Sequence, residues 1–253
     1  MALVYIDGNT KCLVLTGIAT NSRIWFATGD TTTTTTTTVA AYPAGLISYW
    51  SMNELSGNLT DSVSSYTGVA TSLAYGATGI IRSAVTFNGT SSKVIVGASG
   101  TGFPKPTTAF SFSFWIKTTD AGDKRWLYAY SSTYGMIGYY GASGTGKIEL
   151  LFGDGTNSHD AVLTTSVNTG NWVHVAITFD GTNVLGYVNG SGCYTSTWAY
   201  DVGWTGVNEM TIGANNYGSG FISASLDEFG VFDHALTSAE VSQIYNSGSG
   251  LAP

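Results

Sequence analysis

The sequence predicts an all-β protein built as an antiparallel sandwich. Three observations carry that prediction. Charged residues make up only 10% of the chain, aromatics 13%, and there are 33 glycines. β-branched and aromatic residues suit strands, and glycine suits the turns between them. From residue 46 onward, a dozen short strand-like runs recur, separated by Asp-Gly and Asn-Gly turn signals. A helical period is nearly absent until the last twenty residues.

Residues 1–30 alternate short apolar runs with turns: LVYI, Asp7-Gly8-Asn9, CLVL, Thr16-Gly17, RIWFA and Gly29-Asp30. Asp-Gly between such runs predicts a hairpin. The block is too small to bury a core of its own. It reads as a β-rich segment for anchoring or oligomerisation, and a trimer is the expected assembly. Residues 31–38 are eight consecutive threonines. With the following residues to 45 they read as an extended linker.

The domain proper is predicted over 46–253. Its strand-like runs are 46–52, 84–89, 93–97, 110–118, 125–131, 136–141, 147–153, 161–166, 172–180, 184–190, 209–214 and 224–233. Turns follow at Asn88-Gly89, Asp154-Gly155 and Asp180-Gly181, where glycine supplies positive φ without strain. TSAEVSQIYNSG predicts one short helix. Thr237 or Ser238 caps it, Val241, Ile244 and Tyr245 share a face, and Gly248 ends it.

The chemistry expected is binding. A net charge of −7 repels phosphate backbones and argues against nucleic acid. No run is long and apolar enough to span a membrane. The first residues lack a secretory pattern, so synthesis in a cytoplasm without cleaved export is expected. Cys12 and Cys193 are 181 residues apart and read as unpaired thiols. In WVHVAITF, alternation puts Val173, Val175, Ile177 and Phe179 on a core face and His174 on the less apolar one. No second ligand stands at 172 or 176, where Trp and Ala sit. His174 therefore reads as structural. No strand carries two acids at i and i+2, and Asp227 and Glu228, being adjacent, point to opposite faces. No catalytic residue is assigned.

Four ordered segments carry a family resemblance: LISYWSMNELSGNLTDSVSSYTG, AVTFNGTSSKVIV, GNWVHVAITFDGTNVLGYVNG and ASLDEFGVFDHALTSAEVSQIY. Together they resemble the laminin-G-like, concanavalin A-like lectin and glucanase jelly rolls over residues 46–248. The resemblance implies a two-sheet jelly roll, with Trp50, Trp115 and Phe229 expected in the core. It also implies a structural Ca²⁺ between opening loop and closing strand. The matching ligands are Asp61 and Asp227, with backbone oxygens near Ser64 or Tyr66, and Asn88 as a weaker candidate. The competing role for Asp61 is a turn cap, and for Asp227 an acceptor of backbone amides. Family glucanases need two carboxylates facing across the sugar, and the scan of acids finds no such pair.

Two segments read as loops rich in Tyr and Trp, 130–141 and 195–206. Their rings Tyr134, Tyr139, Tyr140, Trp198, Tyr200 and Trp204 are the candidate sugar-stacking residues. The order anchor, spacer, sandwich leads to a non-enzymatic virion structural protein: a phage capsid decoration, head fibre or tail component. Its expected partners are other virion proteins through the N-terminal segment, and host-surface glycans. The alternative is an extracellular carbohydrate-binding module of a bacterial surface protein.

Overall fold

The structure is a computed structural model and describes residues 2–7, 10–14, 41–97, 102–131, 134–141 and 145–253. The chain divides into two units after Tyr42. In the first, β1 (Ala2–Asp7) pairs antiparallel with β2 (Thr10–Val14), Asp7 opposite Thr10, as the Asp-Gly signal predicts. The threonine tract 31–38, and the rest of the predicted anchor, lie outside the described residues.

The second unit is a two-sheet sandwich. In chain order its strands are β3 (Leu46–Trp50), β4 (Gly68–Thr71), β5 (Ala74–Thr78), β6 (Ser83–Asn88), β7 (Lys93–Val96), β8 (Phe110–Lys117) and β9 (Lys124–Ser131). Then come β10 (Tyr134–Tyr140), β11 (Lys147–Asp154), β12 (Ser158–Ser166), β13 (Trp172–Phe179), β14 (Asn183–Val188), β15 (Ser191–Thr197), β16 (Met210–Ile212) and β17 (Ser223–Phe232). A seven-stranded sheet runs β12-β11-β10-β9-β16-β7-β4. An eight-stranded sheet runs β15-β14-β13-β8-β17-β6-β5, with β3 also paired to β17.

The alternating apolar residues of the two sheets meet in one aromatic core. Phe114 stacks on Trp126 at 4.8 Å and on Phe229 at 5.4 Å, and Trp50 lies 6.1 Å from Phe229. Gly138 admits this packing: a Cβ there would sit 2.2 Å from Trp126. The turns use the chemistry their sequences announce. Asn189 and Gly190 both have positive φ and join β14 to β15 in a two-residue hairpin turn. Asp154 and Asp180 each accept two backbone amides just beyond their glycines.

The helix is α1 (Ser238–Tyr245). Thr237 caps it in a reciprocal capping box with Glu240, and Val241 and Ile244 are buried. Its end differs from expectation: left-handed Asn246 (φ 46) is the C-cap, and a 3-10 turn reaches Gly248. Asn tolerates that conformation because its short side chain bonds locally, here to the Gly250 carbonyl. The helix lies on the outer face of the eight-stranded sheet. That corrects Trp115: it is buried, but it stacks on Tyr245 at 5.7 Å outside the inter-sheet core.

Candidate functional site

His174 is fully buried on that same outer face. Its Nε2 is 2.9 Å from Ser113 Oγ, and its ring packs at 5.1 Å from Trp115 and 6.0 Å from Tyr245. Burial lowers its pKa to about 3, so the imidazole is neutral. It is a structural residue under the helix. Cys193 is a free thiol.

The carboxylates named for calcium sit in separate hydrogen-bond networks. Asp61 Oδ1 accepts the amides of Tyr49, Val63 and Ser64, and Asp227 Oδ2 accepts those of Ile80 and Ile81. Their other oxygens, Asp61 Oδ2 and Asp227 Oδ1, are buried without a hydrogen-bond partner. The Tyr66 carbonyl accepts the Trp50 indole N–H at 3.0 Å. Asn88 Oδ1 takes the amides of Thr90, Ser91 and Ser92. Calcium wants six to eight oxygens, and among the described residues no three His, Cys, Asp or Glu side chains converge. One oxygen of each carboxylate thus serves backbone amides, as the competing roles of turn cap and amide acceptor expect.

The six aromatic candidates divide. Residues 134–140 form strand β10, in line with the strand-like run at 136–141 and against the reading of 130–141 as a loop. Alternation therefore sends Tyr140 inward, where it is fully buried and its hydroxyl donates to the Asp120 carbonyl. It offers no ring face to a ligand. Tyr134 is half-buried against Gly155 and Gly203. Trp204 packs edge-on to Phe103 and donates its N–H to Pro106. Trp198 is 8% exposed, wedged against Phe152 and His159, with the more exposed Tyr200 edge-on to it at 5.0 Å. Tyr139 alone of the six stands on the outer face of the seven-stranded sheet.

That face carries a cluster of tyrosines. The outward positions of β9 carry Tyr128 and Tyr130, 6.3 Å apart. Tyr217, from the 213–222 loop, stands edge-on to Tyr128 at 6.1 Å and is 79% exposed. Tyr139 lies under Arg125, whose guanidinium carbon is 3.9 Å from the ring centroid while Nη1 holds Asp123 at 2.8 Å. Burial, helped by Tyr217, pushes the Tyr128 hydroxyl up to about 12, so that ring is a neutral phenol.

Beside the rings lies an acid pair that a scan along single strands cannot find. On β11, Glu149 and Leu151 point outward, opposite Val162 and Asp160 of β12. Glu149 is thereby a diagonal neighbour of Asp160 on one face. Burial first, then Asp160, raises the Glu149 carboxyl to about 8. Tyr128 and Tyr130 were legible as an i, i+2 pattern in RWLYAYS. Glu149, Asp160 and Tyr217 required the strand register.

Residues 87–242 match the family profile of the concanavalin A-like lectin/glucanases superfamily. No curated protein matches by sequence. Among solved structures, domain 4 of AbnA, a GH43 extracellular arabinanase from Geobacillus stearothermophilus solved with arabinotriose, is similar at TM-score 0.61 and 24% identity. The match covers 78% of this chain and 96% of that domain. The binding domain of botulinum neurotoxin DC, in complex with SialylT, gives TM-score 0.62 at 15% identity and 81% coverage. The type G receptor-binding domain gives 0.61 at 17%. The chain spans about half the length of those toxin domains, 52% and 51%. At such identities the likeness establishes the fold.

Proposed function

Since the chain belongs to the concanavalin A-like lectin/glucanase superfamily, we propose that its sandwich is a non-enzymatic glycan-binding module and that the tyrosine face of the seven-stranded sheet is the binding surface. One observation carries this: Tyr130, Tyr139 and the exposed Tyr217 gather around the buried Tyr128 on one sheet face, beside Glu149 and Asp160, while α1 lies on the outer face of the opposite sheet. Tyrosine rings give the apolar faces that sugar rings stack on, and their hydroxyls a polar handle. Two structural neighbours are complexes with arabinotriose and with SialylT, which supports the same reading.

We further propose that residues 1–45 serve display, as the attachment and spacer of a virion structural protein or of a bacterial surface protein. The hairpin of β1 and β2 belongs to a unit separate from the sandwich, which favours it.

The test is a glycan array on the full chain, followed by Tyr130→Ala and Tyr217→Ala. Each substitution is expected to weaken the best glycan about tenfold, or about 1.4 kcal/mol. Tyr217→Ala should leave the melting temperature unchanged, since the ring is largely exposed. An array with no bound glycan, or binding indifferent to both substitutions, sinks the proposal.

A further inference from the structure

α1 covers only part of the outer face of the eight-stranded sheet, where Tyr245 packs on His174 and Trp115. Beside that contact, one register row crosses four strands. Trp172 of β13 stands opposite Lys117 of β8, Lys117 opposite Ser225 of β17, and Ser225 opposite Thr86 of β6. Period two puts Trp172 and Lys117 on the same face as His174 and Trp115. The Thr86 and Ser225 hydroxyls meet at 2.8 Å.

The end of the β5–β6 hairpin folds across this face. The Ile80 and Ile81 amides donate to Asp227, and the Thr78 carbonyl accepts the Trp172 indole N–H at 3.2 Å. Between the hairpin end and the turns at Thr119 and Gly170 lies a groove of about 430 Å³, with Thr86, Lys117 and Ser225 in its lining. Small-ligand sites occupy roughly 300–1,000 Å³.

The chemistry of the groove is one-sided. Its lining carries hydroxyls and one charge, the Lys117 ammonium, and no carboxylate. Lys117 is exposed and makes no ion pair among the described residues. Asp227, two positions along β17, turns one oxygen to the hairpin amides. In a chain of net charge −7, an unpaired ammonium set among hydroxyls is a local reversal of sign. An ammonium is a point charge with three donors and suits a single anionic group. Hydroxyls both donate and accept, which matches the hydroxyls of a sugar. The half-buried Trp172, directly opposite Lys117, adds an apolar ring at the border.

We propose that this groove is a second binding site, on the sheet opposite the tyrosine face, and that it takes a monoanionic sugar whose carboxylate or sulfate ester meets Lys117. The proposal goes beyond the glycan reading of the tyrosine face and does not depend on it.

The test uses the full chain and calorimetry with glucuronic- and galacturonic-acid oligosaccharides, sialyllactose and sulfated galactose, each against its neutral counterpart, at low and high salt. The best anionic ligand should bind about tenfold more tightly than its neutral counterpart, with the margin shrinking at high salt. The carboxylated and sulfated arms distinguish the two anions. Lys117→Gln should erase the margin at unchanged melting temperature, since the side chain is exposed. Lys117→Arg, which keeps the charge, should retain most of it. The Trp172 indole N–H signal in the NMR spectrum should shift as ligand is added. Tyr130→Ala and Tyr217→Ala should leave this binding unchanged.

The proposal is overturned if no anionic sugar binds more tightly than its neutral counterpart, if Lys117→Gln keeps the margin, or if Lys117→Arg loses it as Lys117→Gln does. A Trp172 signal that stays in place overturns it too, as does loss of the margin in Tyr130→Ala or Tyr217→Ala, which would put the anion on the tyrosine face. Neutral glycan binding that responds only to the tyrosine substitutions removes this site and keeps the tyrosine-face reading. Anionic binding that responds only to Lys117→Gln does the reverse.

Discussion

Raising the pH from about 6.5 to about 8 should destabilise the sandwich, and Glu228→Gln should remove the share of that loss that Glu228 carries. Glu228 sits in the β17 bulge, left-handed at φ 53 and 4% exposed, with both carboxylate oxygens lacking a hydrogen-bond partner. Burial pushes its carboxyl from an ordinary 4.5 up to about 8. Asp227 moves the same way, to about 7, burial prevailing over the amides of Ile80 and Ile81.

A raised carboxyl keeps its proton in the fold after the unfolded chain has released it. Its contribution is complete below the unfolded value and is lost as pH climbs to the folded one. His174 acts in the opposite sense: lowered from 6.5 to about 3, it costs stability as pH falls below 6.5. Between about 4.5 and 6.5 these two slopes oppose each other. Above 6.5 the histidine is neutral in both states and the acids act unopposed. At about 1.4 kcal/mol per pH unit, Glu228 alone costs on the order of 2 kcal/mol over the interval up to 8. In a domain of this size that lowers Tm by roughly 4–8 °C.

Scanning calorimetry on wild type and Glu228→Gln at about pH 6.5 and about pH 9 measures it. The variant should keep a shallower decline, because Glu149 titrates in the same direction. A wild-type Tm that holds or rises across the interval would refute the account of Glu228 as a buried, unpartnered acid.

Two further outcomes follow from packing and capping. Gly138→Ala places a Cβ 2.2 Å from Trp126 at the centre of the core. It should cost about 1–3 kcal/mol, read as a lower urea midpoint at unchanged slope. Thr237→Ala removes the helix cap and its reciprocal bond with Glu240, and should cost about 1 kcal/mol in the same assay. Thr237→Ser should restore most of that stability.

The segments that spoke plainly in the sequence are those whose signal is local. WVHVAITF announced its two faces by alternation, Asn189-Gly190 its turn, and Thr237 with Glu240 its helix start, because each depends on neighbours a few residues away. The strands that escaped notice, β4, β5 and β15, are polar and patchily exposed: GVAT, AYGAT and SGCYTST. All three end a sheet. An edge strand buries too little to need an apolar run.

What the tertiary structure alone decided is which outward-facing residues stay outside. Alternation put His174 and Trp115 on the outer face, but only the docking of α1 buries them there. Period two turned Tyr140 inward once residues 134–140 proved to be a strand. The pairing of Glu149 with Asp160 is a property of the register between β11 and β12, set by the turn at Asp154–Asn157, and no single strand records it. Sequence dictates the face of each residue because backbone geometry is local. Which faces remain open, and which side chains meet on them, depends on contacts between segments far apart in the chain.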